Sequence, residues 1–308
     1  MAKKAAQDNA IYLVDASIYI FRAWFSLPDS ITNDRGEPIN AVQGFAGFIA
    51  DFLRRTGARH VAFAFDASLT SSFRNEIDPA YKANRESAPP ELKRQFEYCR
   101  GLVEALGMLG VANERYEADD YIATFAAAAR QQQRTCAILS RDKDLAQLVN
   151  DTTELWDFAA DQRWNAQTVQ DKFGISPAGM IDYQALVGDS VDNIPGIKGI
   201  GPKAAAALIR EYGSLEGLYA NLDGIGQLPL RGAARISTLI SEGREAAFRC
   251  RQLVTLVDDL PASVMPEDWA SRGLDCLQIH AADPIEVKAY CESTGIGSNT
   301  CQRLLRAL

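Results

Sequence analysis

Three short apolar runs, each followed closely by aspartate, constrain the fold of this chain more than any other feature. Leu13-Val14 leads into Asp15, Phe63-Ala64-Phe65 into Asp66, and Ile138-Leu139-Ser140-Arg141 into Asp142 and then Asp144. The runs 10–14, 60–65 and 135–139 are almost wholly apolar, as strands are when helices cover both faces of a sheet. A fourth strand is expected at 153–156. Helical periodicity at about 40–56, 91–106 and 118–132 makes strand and helix alternate. The expectation is an α/β fold with a mostly parallel central sheet flanked by helices. In such a sheet the carboxyl ends of the strands border the crevice where ligands bind. A solvated turn accounts for any one of these aspartates. Three strands ending alike point to a shared site.

Further acids have the same character. Glu117, Asp119 and Asp120 precede an apolar helical run, where they could simply complement the helix dipole. Three carboxylates so close repel one another, however, and a divalent cation would offset that repulsion. Asp189 and Asp192 stand three apart at the end of another helical run. Asp15, Asp66, Glu117, Asp119, Asp120, Asp142, Asp144, Asp189 and Asp192 thus form an all-oxygen set suited to Mg²⁺ or Mn²⁺. The only histidines, His60 and His280, are far apart, and the six cysteines contain no CxxC pair, which argues against zinc and a disulfide framework. Two such ions would clamp the attacking water and the leaving oxygen of a phosphodiester.

The net charge of −8 argues against a nucleic-acid partner only if it is spread over the surface. Setting the nine site acids aside leaves 31 acidic against 32 basic residues. The objection then fails.

Beyond about 176 the strand signal stops, and 176–187, 202–211, 214–221, 230–241 and 243–256 read as helices. The reading divides the chain into an α/β catalytic domain at 1–180, a helical lobe at 181–257 and an extension at 258–308. A weak strand is expected at Cys276–Ile279, and a helix around 283–292. Within the lobe, Pro195-Gly196 and Gly199-Ile200-Gly201-Pro202-Lys203 form a helix–hairpin–helix pattern. Its glycines allow the backbone close to a phosphate, and the helix start can receive that phosphate. The proline-containing segment 67–95 is long for a connection and reads as a lid or binding loop.

On these residues the chain resembles the 5′→3′ exonuclease and flap endonuclease family, including the nuclease domain of bacterial DNA polymerase I. The matching stretches are Val14-Asp15-Ala16-Ser17 with Tyr19 and Arg22, Gly36-Glu37-Pro38, Phe65-Asp66-Ala67, Phe73-Arg74 and Tyr81-Lys82 with Arg85. They continue through Glu117-Ala118-Asp119-Asp120, Asp142-Lys143-Asp144, Gly188-Asp189-Ser190, and the hairpin up to Lys203. The resemblance implies a metal-dependent nuclease that works in DNA replication and repair. It would cut DNA as a 5′→3′ exonuclease and a 5′-flap endonuclease, with all nine acids as ligands of two or more Mg²⁺. It further implies a helical arch at about 70–100. Lys82 and Arg85 would act at the arch's base on the scissile phosphate, with Arg22 near it. Tyr81, Arg74, Gly196, Gly199, Gly201 and Lys203 would contact substrate, and K⁺ would sit at the hairpin. Arg141 departs from the family, in which a small residue is usual before the aspartate; from its place beside Asp142 it would either pair with a ligand carboxylate or reach a substrate phosphate, and the phosphate contact is the expectation.

The alternatives are a related metal-dependent ribonuclease, a phosphatase, and a non-catalytic structure-specific DNA-binding protein. The apolar stretch Ile11–Phe25 is broken by Asp15 and Arg22, so neither a signal peptide nor a membrane span is expected. A monomer in the bacterial cytoplasm, working on nucleoid DNA, is the corresponding expectation. The chain is read as either a stand-alone nuclease or the nuclease domain of a longer polypeptide.

Overall fold

The computed structural model describes residues 9–68 and 71–308. Residues 1–8 of the expected catalytic domain, and residue 70 of the expected arch, lie outside the described residues. Six strands form one sheet in the order β3-β2-β1-β4-β5-β6. They are β1 (Ile11–Asp15), β2 (His60–Asp66), β3 (Leu109–Asn113), β4 (Cys136–Leu139), β5 (Thr153–Asp157) and β6 (Gln162–Trp164). All neighbours run parallel except β6, which pairs antiparallel with β5. Sequence reasoning missed β3 and β6. They are the edge strands, half exposed or polar, and carry none of the continuous apolar signal of a central strand.

The central strands alternate strictly between two helical layers. Ile11, Leu13, Ala62, Ala64 and Ile138 face one layer, which contains a helix (Ala118–Gln131) rich in alanine. Tyr12, Val14, Phe63, Phe65 and Leu139 face the other. That second layer contains α1 (Ala16–Ser26), α2 (Asn40–Thr56) and α3 (Pro90–Ala105); the alanine-rich helix is α4. Small strand residues thus meet small helix residues, while Phe63 and Phe65 make edge contacts with Phe45. Gly44 of α2 allows a close crossing, because a Cβ there would lie 2.5 Å from that of Ala23 on α1.

After β6 come α5 (Ala166–Phe173), α6 (Met180–Val187), α7 (Pro202–Tyr212), α8 (Leu215–Ala220), α9 (Ala233–Glu242) and α10 (Arg244–Val254). The buried side chains of this lobe are continuous with those under the sheet. The expected strand at Cys276–Ile279 is corrected. Gly273–Leu277 is a 3-10 turn, and only Gln278 forms a single bridge, to His60. The short apolar run carried no period to separate the two. Two final helices, α11 (Pro284–Thr294) and α12 (Ser298–Ala307), fold back on the second layer, where Val287 and Leu304 are fully buried. The Gln43 side chain donates to Thr300 at 2.6 Å, and Tyr290 donates to the Tyr98 carbonyl at 2.9 Å.

Candidate metal and nucleic-acid site

The carboxyl edge of the sheet gathers the acids, and local capping explains why they stand there. Asp15 ends β1 and caps α1, its Oδ1 accepting the Ile18 amide at 3.4 Å. Its other oxygen accepts the Ser140 hydroxyl at 2.9 Å. Asp66 at the end of β2 accepts the Ala118 amide at 3.0 Å, tying that strand to the start of α4. Asp142 caps the turn Lys143–Leu148 by accepting the Asp144 amide at 2.9 Å. Glu117 caps α4 in a reciprocal capping box with Asp120. The turn and cap roles weighed from sequence are therefore real, and the same residues also converge.

They line a cleft of about 550 Å³. Asp15, Asp66, Glu117, Asp119, Asp142 and Asp192 form its acidic wall, with Phe21, Trp24 and Phe25 of α1 opposite. Burial and the neighbouring Asp66 and Asp142 push Asp15 up to about 8. Burial, Asp142 and Asp192 likewise push Asp144 up to about 8. Asp119 and Asp142 are raised as well, first by burial and then by like charges around them. Among the described residues, no three acids stand in a geometry ready to hold an ion. The donor set nonetheless fits a hard divalent cation, being all oxygen and short of positive charge at its centre.

Four of the acids, Glu117, Asp120, Asp189 and Asp192, are paired with cations of the chain itself. Asp120 is expected as a metal ligand. In the structure it is wholly buried and accepts two bonds from the Arg74 guanidinium at 2.8 and 2.9 Å. The Glu117 and Val257 amides also donate to it, leaving it facing protein and not the cleft. Arg74, expected to contact substrate, is enclosed in the same way. Arg74 is 1% exposed, and its remaining bonds go to Glu117 and the carbonyls of Leu253 and Thr255.

Tyr81, also expected to contact substrate, is 3% exposed, and its hydroxyl donates to Glu117 at 3.0 Å and Asp192 at 3.2 Å. Lys82 Nζ lies 2.6 Å from Glu117, and Arg85 donates to Asp192 at 2.5 Å. Burial opposes the charge on Glu117, but Lys82 and Arg74 more than offset it and lower its pKa. Lys143 pairs with Asp189, and Gln184 donates to Asp144 at 2.5 Å.

The stretch expected to arch over the site is one helical turn (Arg74–Ile77), then turns, then the start of α3. It is stitched to the helical lobe. The Lys82 amide donates to the Asp192 carbonyl at 3.0 Å, and Asn193 donates to the Ala80 carbonyl at 2.6 Å. Lys82 holds a φ of 54°, a region that side-chain-bearing residues rarely occupy and that is often found at functional sites.

In the hairpin, Gly199, Gly201 and Lys203 are exposed. Gly196, also expected to contact substrate, is buried. A Cβ there would lie 2.5 Å from the Gly188 amide nitrogen, so glycine is required for backbone packing. The hairpin forms one side of a groove of about 740 Å³; Arg231, Gly232 and Arg235 at the start of α9 form the other. The sequence reading counts Arg231 and Arg235 among the basic residues that give this lobe a phosphate contact face, and it leaves out Gly232. Arg22 is exposed and sits on the far flank of α1 from the acids, beside Arg141.

An acid-lined cleft at the strand ends, joined to a glycine hairpin with free basic residues, defines a class of α/β proteins that handle nucleic-acid phosphates. Residues 10–174 match the family model described as 5'-3' exonuclease, N-terminal resolvase-like domain. Residues 175–276 match that described as 5'-3' exonuclease, C-terminal SAM fold. The chain belongs to the 5'-3' exonuclease family. It is 39% identical over 255 residues to DNA polymerase I of Pseudomonas aeruginosa, a match covering 82% of this chain and 28% of that protein. With Bacillus subtilis DNA polymerase I it shares 33% over 279 residues, covering 89% of this chain and 31% of the relative. The chain thus spans less than a third of the length of these relatives. Its fold also matches the T5 D15 protein co-crystallised with metal ions, at a TM-score of 0.63 and 21% identity, covering 97% of this chain and 99% of the other. The catalytic core of Rad2 in complex with DNA substrate has a TM-score of 0.59 at 15% identity, covering 99% and 94%. Among the described residues no helix is long and apolar enough to cross a membrane.

Proposed function

We propose that the chain hydrolyses DNA phosphodiesters from the 5′ side, as a 5′→3′ exonuclease and 5′-flap endonuclease. The observation that carries this reading is the cleft in which Asp15, Asp119 and Asp142 crowd together, without an ion-pair partner among the described residues, next to Lys82 and Arg85. The acids facing the cleft would hold Mg²⁺, for which Mn²⁺ is the natural substitute. When bound, these ions would neutralise the scissile phosphate and activate a water.

The chain's own residues do the rest. Lys82 and Arg85 lie in the cleft wall and are placed to orient the phosphodiester and stabilise charge that builds on it. They are already charged, because Glu117 and Asp192 more than offset the burial that would discharge Lys82. Phe21 and Trp24 of α1 give the cleft an aromatic lining. The hairpin with Gly199, Gly201 and Lys203, together with Arg231 and Arg235 across its groove, would hold duplex backbone without reading sequence. The division into a catalytic unit, a hairpin lobe and an extension follows from these roles, with the last two helices of the extension closing the second helical layer.

Incubation with a 5′-labelled flap duplex, with and without Mg²⁺, tests the reading. Short 5′-terminal products that require the metal are expected. Products released only from 3′ ends, or none at all with Mg²⁺ present, would refute it.

A further inference from the structure

The amino end of α2 has no cap of its own. The first amides of a helix find no partner within it, and an oxygen-bearing side chain at the preceding residue usually takes them. Here that residue is Ile39, whose side chain carries no oxygen. Gln95 of α3 supplies the missing acceptor from far along the chain. Its Oε1 accepts the Ala41 amide at 2.7 Å and the Val42 amide at 3.2 Å. The bonds continue from there. Gln95 Nε2 donates to Asn40 Oδ1 at 3.2 Å, and Asn40 Nδ2 donates to the Trp24 and Leu27 carbonyls, at the end of α1, at 3.0 and 3.1 Å. Both side chains are buried. Neither amide can be turned over, because two N–H groups face Gln95 Oε1 and two carbonyls face Asn40 Nδ2.

This Gln–Asn pair ties α3 to α2 and to α1, and both α1 and α3 border the acidic cleft. Phe21 and Trp24 of α1 line it, as do Leu92 of α3 and the segment 85–89 that leads into that helix and carries Arg85. Apolar side chains could fill the same space. A buried polar chain is costly unless each member is satisfied, and once satisfied it favours one geometry. Arg94, next to Gln95, provides the contrast. It pairs with Glu37 in the turn before α2, but these side chains are 39% and 30% exposed, so solvent screens the contact.

We propose that Gln95 and Asn40 are positioning residues that fix the separation of α1 and α3, and with it the place of Arg85 relative to the acids. The inference rests on the nuclease reading and adds to it two residues that do not line the cleft. Such a role acts on rate more than on affinity, since a misplacement of about 1 Å can cost about a hundredfold in the chemical step.

Two substitutions break the chain of bonds at different points. Gln95→Glu keeps an oxygen to cap α2 and removes the donor to Asn40; Asn40→Ala leaves the cap and removes the link to α1. Single-turnover cleavage of a 5′-flap duplex in saturating Mg²⁺, measured well below the lowest thermal midpoint, should fall about thirty- to a hundredfold in each. Flap affinity in EDTA should stay within about twofold of the parent chain, and the double variant should lose no more rate than either single one. Gln43→Ala calibrates plain destabilisation. It removes the bonds from α2 to Thr300 and Gly297, away from the cleft, and should lower the midpoint with the rate unchanged. Arg94→Ala should change neither. If one of the two substitutions prevents folding, the other decides. Parent-like rates would overturn the inference. So would a rate loss no larger than that of Gln43→Ala at equal loss of midpoint, or an affinity loss as large as the rate loss. A parent chain that does not cut the flap refutes the nuclease reading and this inference with it, whereas a cutting parent with parent-like variants refutes the inference alone.

Discussion

Asp120 and Asp142 belong to one acidic set and meet opposite electrostatic conditions. Asp120 is enclosed by the Arg74 guanidinium and two backbone amides, a buried ion pair whose hydrogen bonds are all made inside the protein. Asp142 faces the cleft among other acids, and burial and the crowding of like charges raise its pKa. The same residue type is thus used once to fix structure and once to leave negative charge unbalanced. What differs is whether the fold supplies a cation. Under the proposed function, the acids that lack one among the described residues are those that would hold the ion.

This contrast can be broken most sharply at Asp142. Asp142→Asn keeps the acceptor for the Asp144 amide and removes one charge from the crowded group. Single-turnover flap cleavage should fall about a thousandfold or more, equivalent to roughly 4 kcal/mol, while flap affinity and thermal midpoint hold. A variant that still cuts near the parent rate would place the ions elsewhere.

Arg74→Ala attacks the other side of the contrast. Removing the guanidinium strands Asp120 in the interior, where breaking a buried pair typically costs about 3–5 kcal/mol. Urea unfolding should show that loss as a lower midpoint. A loss of activity with full stability would instead restore Arg74 as a substrate contact.

Metal addition sharpens the comparison by measuring the unbalanced group directly. Mg²⁺ at a hundred times its dissociation constant should stabilise the folded chain by about 2.7 kcal/mol, read as a rise in thermal midpoint. Asp142→Asn should lose most of that rise. An equal rise in both proteins would mean that the ion binds away from the cleft.

The smallest effect is expected at the edge of the set. Lys143 pairs with Asp189, but its side chain is 43% exposed, so solvent screens the pair. Lys143→Ala should change stability by less than about 1 kcal/mol in the same urea titration. A loss like that of Arg74→Ala would show that exposure does not separate the two kinds of pair.

Much of this arrangement is legible in the chain. The central strands are readable because burial on both faces leaves continuous apolar runs, and the aspartates at their ends are readable because strand order puts those ends on one edge. The edge strands β3 and β6 are not, since their half-exposed residues resemble ordinary loop. Helix α12 was missed although Leu304 is fully buried, because its apolar face is meaningful only once α2 lies against it.

The sequence by itself determined where the acids fall, since all but Asp189 and Asp192 sit close to a strand end or a helix start whose position is set by local periodicity and capping, and those two follow the end of α6. Tertiary structure alone decided which acids keep their charge unbalanced. Arg74 reaches Asp120 across 46 positions in the chain and is held there by carbonyls of Leu253 and Thr255, at the end of α10. No local pattern encodes that meeting. Coulomb interactions depend on distance in space, and only the packed chain fixes which cation comes within reach of which carboxylate.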